Sequence, residues 1–196
     1  MIRNLQNLGK NNPLKLNLGC GNRHVAGYIN VDRVGRPDVL HNLEAFPWPW
    51  LENTVAEIKM THVLEHLGKD IETFRKIIQE LYRICCHNAS ILIIVPYPKH
   101  DSFLGDPTHV RAISEGVIHL LSRHRNLDYI AKGQSNSCLA LEWGVDFELD
   151  STIYHFDERW KARLQNGQIT ADELLEAAID RWNVIEMLEM KIRVIK

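Results

Sequence analysis

The first half of the chain alternates short apolar runs with polar turns, and the runs are of strand length. Residues 14–19, 28–32, a brief stretch near 38–40, 56–61 and 90–96 each read as strands. Ile91-Leu92-Ile93-Ile94-Val95 is continuously apolar, the pattern of a strand buried on both faces. Between the last two strands helical spacing takes over. Phe74, Ile77, Ile78, Leu81 and Cys85 fall on one face, with Asp70 near the start and Cys85-Cys86 at the end. Strands alternating with crossovers predict a parallel sheet with helices on its faces.

The second half carries a weaker pattern. Pro96, Pro98 and Pro107 punctuate a loop from Tyr97 to about Ala112, and a helix is expected over 113–124. From Leu141 to Phe156 the chain is rich in strand formers, and Phe147, Leu149 and Ile153 predict one long or bent strand. Asp157 is placed to cap a helix ending at Asn166-Gly167, and Thr170-Ala171-Asp172-Glu173 is a capping box opening another. Met190 to Ile195 alternates and reads as a closing strand. Residues 1–13 are a polar lead-in ending at Pro13, which leaves 14–196 as a single domain.

Composition narrows the class. With 196 residues, 45% of them hydrophobic, one substantial core is the expectation. A formal net charge of −2 offers no electrostatic footprint for nucleic acid, and Arg3, Lys10, Lys15 and Arg23 read as solvated surface. No apolar run reaches membrane-spanning length, so no membrane partner is expected. Met1-Ile2-Arg3-Asn4-Leu5 lacks the apolar core of a signal peptide, which points to the cytosol. Cys20, Cys85, Cys86 and Cys138 form no C-x-x-C pair and no disulfide pattern, so structural roles are assigned to them.

The chemistry concentrates at Gly19-Cys20-Gly21 and Asp32. Gly19 and Gly21 can adopt backbone angles closed to other residues and let a ligand approach the main chain. Asp32 ends the second strand, where open α/β sheets bind nucleotide-like ligands and where a carboxylate can accept both ribose hydroxyls. A dinucleotide fingerprint needs a third glycine and an acid about 20 residues on. Here the third position is His24 and Asp32 comes too early, leaving no room for a phosphate-binding helix. The spacing therefore suits a nucleoside cofactor with little phosphate, of which S-adenosylmethionine is the commonest.

The segment Asp38-Val39-Leu40-His41-Asn42-Leu43-Glu44-Ala45-Phe46-Pro47-Trp48 leads through Asn53 to Ile58-Lys59-Met60-Thr61-His62-Val63-Leu64-Glu65-His66-Leu67. With the glycine turn, residues 14–112 resemble the class I S-adenosylmethionine-dependent methyltransferases, in particular the methyltransferase type 11 branch. The resemblance implies a doubly wound, mostly parallel seven-stranded sheet, Rossmann-like, with an antiparallel C-terminal hairpin. It implies that Asn17, Gly19, Cys20 and Gly21 form the turn holding the methionine end, and that Asp32 binds ribose. Asn42 with Leu43 would contact adenine, and Thr61 and His62 would close the pocket. Asn17 and Asn42 replace family acids, keeping hydrogen-bonding capacity without charge. Arg23 replaces a common glycine, and Ala56-Glu57 displaces the acid that usually opens strand four.

Methyl transfer from a sulfonium needs mainly alignment, and a base when the acceptor is a hydroxyl. The loop after strand five supplies His109 as the expected base, with Asp106 to orient it and Arg111 as a candidate contact for an anionic acceptor. The alternative for Asp106 and His109 is that they brace the loop through backbone bonds. Trp48 is a candidate to stack on adenine. His62-Val63-Leu64-Glu65-His66 also spells the H-x-x-E-H zinc-protease motif, but His62 falls at a strand end, so Glu65 and His66 read as structural. His100, Asp101, Asp106 and His109 are weighed as a loop metal site; no metal is assigned. The expectation is an S-adenosylmethionine-dependent enzyme methylating a small-molecule acceptor, on oxygen. A cofactor-binding regulator without turnover is the alternative, and a zinc hydrolase a remote one.

Overall fold

A computed structural model describes residues 13–196; of the lead-in at 1–13, all but Pro13, including Arg3 and Lys10, lies outside the described residues. Seven strands form one sheet: β1 (Leu14–Leu18), β2 (Ile29–Asp32), β3 (Val39–Leu40), β4 (Val55–Thr61), β5 (Cys85–Pro96), β6 (Phe147–Phe156) and β7 (Ile185–Val194). Their order is β3-β2-β1-β4-β5-β7-β6. Strands β1 to β5 run parallel, and β7 is inserted antiparallel between β5 and β6. This is the class I methyltransferase arrangement, with its antiparallel C-terminal strand pair. The order reverses between β1 and β4, and ligands of open α/β sheets bind outside the carboxyl ends at such a point.

Helix α1 (Ile71–Ile84) forms as its sequence dictates. The Asp70 carboxylate accepts the Thr73 N–H at 2.9 Å, and Phe74, Ile77, Ile78, Leu81 and Ile84 turn inward. These side chains meet Leu16, Leu18, Ile58, Met60, Ile91 and Ile93 of the sheet, all buried in one core. The expectation that Cys85-Cys86 closes the helix is corrected. Ile84 completes the apolar face, and Cys85 is already extended (φ −71°, ψ 142°), so the chain passes directly into β5.

The continuous apolar run in β5 is also corrected. Ile91, Ile93 and Val95 are buried, but Leu92 and Ile94 are only partly covered. The connections β1–β2 and β2–β3 contain no helix, so the second face of the sheet has less cover. Polar groups occupy it instead. Lys15 pairs with Glu57 at 2.6 Å, Tyr28 donates to the same carboxylate, and Lys59 lies 4.7 Å from the Tyr28 ring centre.

In the second half the single helix expected over 113–124 is two, α3 (Glu115–Leu120) and α4 (Arg123–Ala131), preceded by a short α2 (Asp101–Leu104). Ser122 interrupts the run because its hydroxyl caps α4, accepting from Arg125 N at 3.2 Å. Residues Leu139–Trp143 form a short α5 rather than the start of a strand, and Gly144 ends it at φ +70°. Asp157 caps α6 (Glu158–Gln165), and the Thr170 capping box opens α7 (Ala171–Asp180), both as expected. Leu174, Ala177 and Val184 make a small separate apolar cluster there.

Two consequences are testable. Phe74→Ala removes a ring packed against Trp143 at 6.1 Å and should cost about 3–5 kcal/mol in denaturant unfolding. The second concerns Asp157, whose carboxyl is held down to about 2 by bonds from the Arg159 guanidinium and backbone and from His100. A folded value below the unfolded one gives stability present above about pH 4 and lost as pH falls toward 2. Thermal melts should therefore show the wild type losing more stability than Asp157→Asn across that window.

Candidate functional site

The glycine turn is shaped by a close approach. At Gly19 (φ +67°) an added Cβ would overlap the Val63 methyls, so the backbone after β1 passes directly against the second residue beyond β4. Gly21 (φ +50°) has open space around it and donates its N–H to Asp32 Oδ2 at 2.8 Å. Asp32 Oδ1 accepts from Val34 N at 3.1 Å, which fixes the carboxylate at the tip of β2. Asn17 is buried beneath the turn. Its amide donates to Arg23 O and to Asn30 Oδ1, both at 2.9 Å.

The loop after β3 is tied to the sheet and to α1. His41 N donates to Asp32 O at 2.8 Å, and Asn42 Oδ1 accepts from Glu44 N at 3.0 Å. Trp48 is buried, donating from Nε1 to Leu43 O at 3.0 Å and from its backbone to Glu80 Oε2 at 2.6 Å. Arg83 grips Glu80 with two nitrogens at 2.7 Å and donates to the carbonyls of Trp48 and Trp50. Although burial opposes its charge, the bonds from Arg83 and Trp48 hold the Glu80 carboxyl below the ordinary value. Burial pushes the His41 imidazole below its usual pKa, and its Nε2 has no hydrogen-bond partner among the described residues.

The segment after β4 completes the site. His62 takes the left-handed conformation (φ +55°), which histidine adopts more readily than most residues, and donates its N–H to Ile94 O. A 3₁₀ turn follows over Leu64–His66. The loop after β5 is fastened to it, since Val110 N and Arg111 N both donate to Glu65 O, at 2.8 and 3.2 Å. Thr108 Oγ1 donates to Asp106 Oδ1 at 2.6 Å and stands 2.9 Å from His66 Nδ1. With its proton so committed, the hydroxyl accepts from Nδ1–H, which leaves His66 Nε2 outside this pair. The two bonds from Thr108 hold the Asp106 carboxyl below the usual carboxylate range.

These segments enclose an open cavity of about 370 Å³ at the carboxyl ends of β1 to β4. Of the expected residues, Gly19, Asp32, Asn42, Leu43 and His62 line it. Asn17, Cys20, Gly21 and Thr61 do not: the first three build the turn from behind. His109 and Asp106 are off the cavity wall as well. His109 is bonded by Nδ1 to Phe103 O at 2.8 Å, with its ring stacked on Phe103 at 5.4 Å and against His66 at 4.6 Å. Arg111 donates to Gly68 O and lies over the Phe74 ring at 4.2 Å, so it braces the loop. Trp48 belongs to the core.

The sequence reading missed Arg33, His41, Glu44, Val63, His66, Leu67 and Thr108, which also line the cavity. The signal for His41 was its place immediately after β3; for His66 it was the H-x-x-E-H string, set aside as structural. The four-residue loop set is dispersed. His100 lies 3.2 Å from Asp157 Oδ2 and caps α2, while Asp101 bonds Asn183. His62 and His66 do not share a helix face, so the protease geometry is absent.

The fold is shared with methyltransferases of known structure. A SAM-dependent methyltransferase from Archaeoglobus fulgidus superposes with a TM-score of 0.59 at 15% identity, over 95% of this chain and 88% of that one. The YcgJ protein of Bacillus subtilis gives 0.52 at 13% identity, over 100% and 96%. The 1,6-didemethyltoxoflavin-N1-methyltransferase of Burkholderia thailandensis, bound to 1,6-didemethyltoxoflavin and S-adenosylhomocysteine, gives 0.50 at 11% identity, over 95% and 73%. At these identities the likeness is one of fold. No protein-family model and no curated protein matches the chain.

The two turn glycines should respond differently to substitution. Gly19→Ala meets both a left-handed backbone and the Val63 methyls, and should cost about 2 kcal/mol or more in urea unfolding. Gly21→Ala meets the backbone penalty alone and should cost about 1–2 kcal/mol.

Proposed function

We propose that this chain is an S-adenosylmethionine-dependent methyltransferase acting on a small-molecule acceptor. The observation that carries the reading is Asp32 at the tip of β2, facing a cavity with no helix between β1 and β2 to receive a pyrophosphate. Each Asp32 oxygen already takes one backbone N–H and has a further acceptor site for a ribose hydroxyl. Asn42, whose Oδ1 is engaged by Glu44 N, keeps its amide N–H groups for the adenine edge, beside Leu43. The sulfonium end would lie along Gly19. His62 and His66 then border the acceptor side, where a hydroxyl oxygen is the proposed nucleophile.

Residues 14–196 are taken as one domain with the cytosol as its compartment. The small cavity and the net charge of −2 favour a small acceptor over nucleic acid, and no helix among the described residues is long and apolar enough to cross a membrane. One observation favours the alternative of a cofactor-binding protein without turnover. Asn17 is neutral and turned into the protein, so it offers no charge to the methionine end.

Calorimetric titration tests the reading directly. S-adenosylmethionine and S-adenosylhomocysteine should bind with micromolar affinity and NAD should not; binding of NAD alone would overturn it. Asp32→Ala should weaken S-adenosylhomocysteine by about 1.5–3 kcal/mol, or roughly 10- to 150-fold. Tight binding with no methyl transfer across an acceptor screen would favour the non-catalytic alternative.

A further inference from the structure

Glu65 is fully buried, and neither carboxylate oxygen has a hydrogen-bond partner among the described residues. His62 Nδ1 stands 3.4 Å from Oε1 without hydrogen-bond alignment. Burying a carboxylate this way is heavily unfavourable, and such groups are paired or coordinate metals. One donor atom each from Glu65, His66 and His109 lie within 4.8 Å of one another.

Both imidazoles are already oriented for that task. His109 Nδ1 donates to Phe103 O at 2.8 Å, leaving Nε2 as the donor atom. His66 Nδ1 is held by Thr108, whose hydroxyl is held in turn by Asp106, which leaves its Nε2 as the donor atom; Asp106 Oδ2 also lies 3.8 Å from His109 Nε2. Metal-binding histidines are fixed in this way, with the second ring nitrogen bonded to a carbonyl or toward a carboxylate. The same arrangement explains what His109 and Asp106 do once they are found off the cavity wall.

We infer that Glu65, His66 and His109 form a site for a divalent transition-metal ion at the acceptor end of the cavity. Two imidazoles and one carboxylate favour Zn²⁺, Fe²⁺ or Co²⁺ over Mg²⁺ and Ca²⁺, which prefer all-oxygen shells. Three protein ligands leave an open position, and His66 lines the cavity, so the ion can also take an acceptor oxygen. This role rests on the methyltransferase reading. The acceptor hydroxyl, acidified by the ion, gives its proton to water, and its oxygen bonds to the sulfonium methyl. The carbon–sulfur bond breaks with its electron pair staying on sulfur, leaving a neutral thioether.

The test is titration of metal-free protein with Co²⁺, followed by visible absorption and calorimetry, with Mg²⁺ as the contrast. One equivalent should bind and develop ligand-field bands, while Mg²⁺ gives no comparable heat. Glu65→Gln and, separately, His109→Asn should each weaken Co²⁺ by at least about 100-fold, since even outer-shell losses cost 10- to 100-fold. Thermal melts check that each variant folds, and His109→Asn carries the test if Glu65→Gln does not. Absence of a Co²⁺ spectrum, or variants binding as tightly as the wild type, would overturn the site as adventitious binding at other histidines. S-adenosylhomocysteine is titrated separately. If it binds and Co²⁺ does not, the metal site falls and the methyltransferase reading stands; the reverse result upholds the site and removes its acceptor role.

Discussion

The close approach of the Gly19 backbone to Val63, which leaves no room for a side chain at position 19, is the constraint from which the shape of the site follows. The switch in strand order places the tips of β1 and β4 side by side, and the backbone after β1 must cross in front of the segment after β4. A residue with a side chain at position 19 would push the two apart. With glycine there, Val63 closes one wall of the cavity, and the turn beyond can reach Asp32 through Gly21. The glycine turn and the histidine-bearing turn after β4 thus meet at one contact, while Asp32 is fixed separately by Gly21 N and Val34 N.

The floor of the cavity depends on a different element. The loop after β3 has little sheet to lean on, since β3 is only two residues long. It is held from below by Glu80 and Arg83, which lie on the half-buried flank of α1 and bond the backbone at Trp48 and Trp50. The helix that sends Phe74, Ile77, Ile78, Leu81 and Ile84 into the core therefore also supports the proposed adenine subsite. A partly buried ion pair of this kind gains from its geometry, because Arg83 meets the carboxylate with two nitrogens and satisfies two carbonyls besides.

What could be read from the sequence was what is local. Gly19, Gly21 and Asp32 declared a turn and a strand-end acid through their spacing, and Thr170 and Asp157 declared helix starts through chemistry with the next few residues. The strand order and the reversed β7 followed from the family resemblance and not from the pattern itself. His66 was legible as a residue type and illegible as a role, because what orients it, Thr108, lies 42 residues away. The same holds for Trp48, whose burial is decided by Glu80 and Arg83, 32 and 35 residues on. Leu92 and Ile94 looked like core because an apolar run cannot reveal that the neighbouring connections omit their helices. Cys85 shows the opposite failure: helical spacing continued one residue past the point where the backbone changed to strand.

The carbonyl of Glu65 accepts from both Val110 and Arg111, so one oxygen fastens the loop after β5 to the turn after β4. The bonds from Arg111 to Gly68 O and between Thr108 and His66 Nδ1 bridge the same two segments, so the loop is held at three neighbouring points. Opening here would part the loop from the turn while the bonds of Asp32 to Gly21 and Val34 stay in place. Hydrogen exchange at the two amides would thus measure how often the loop after β5 parts from the turn after β4.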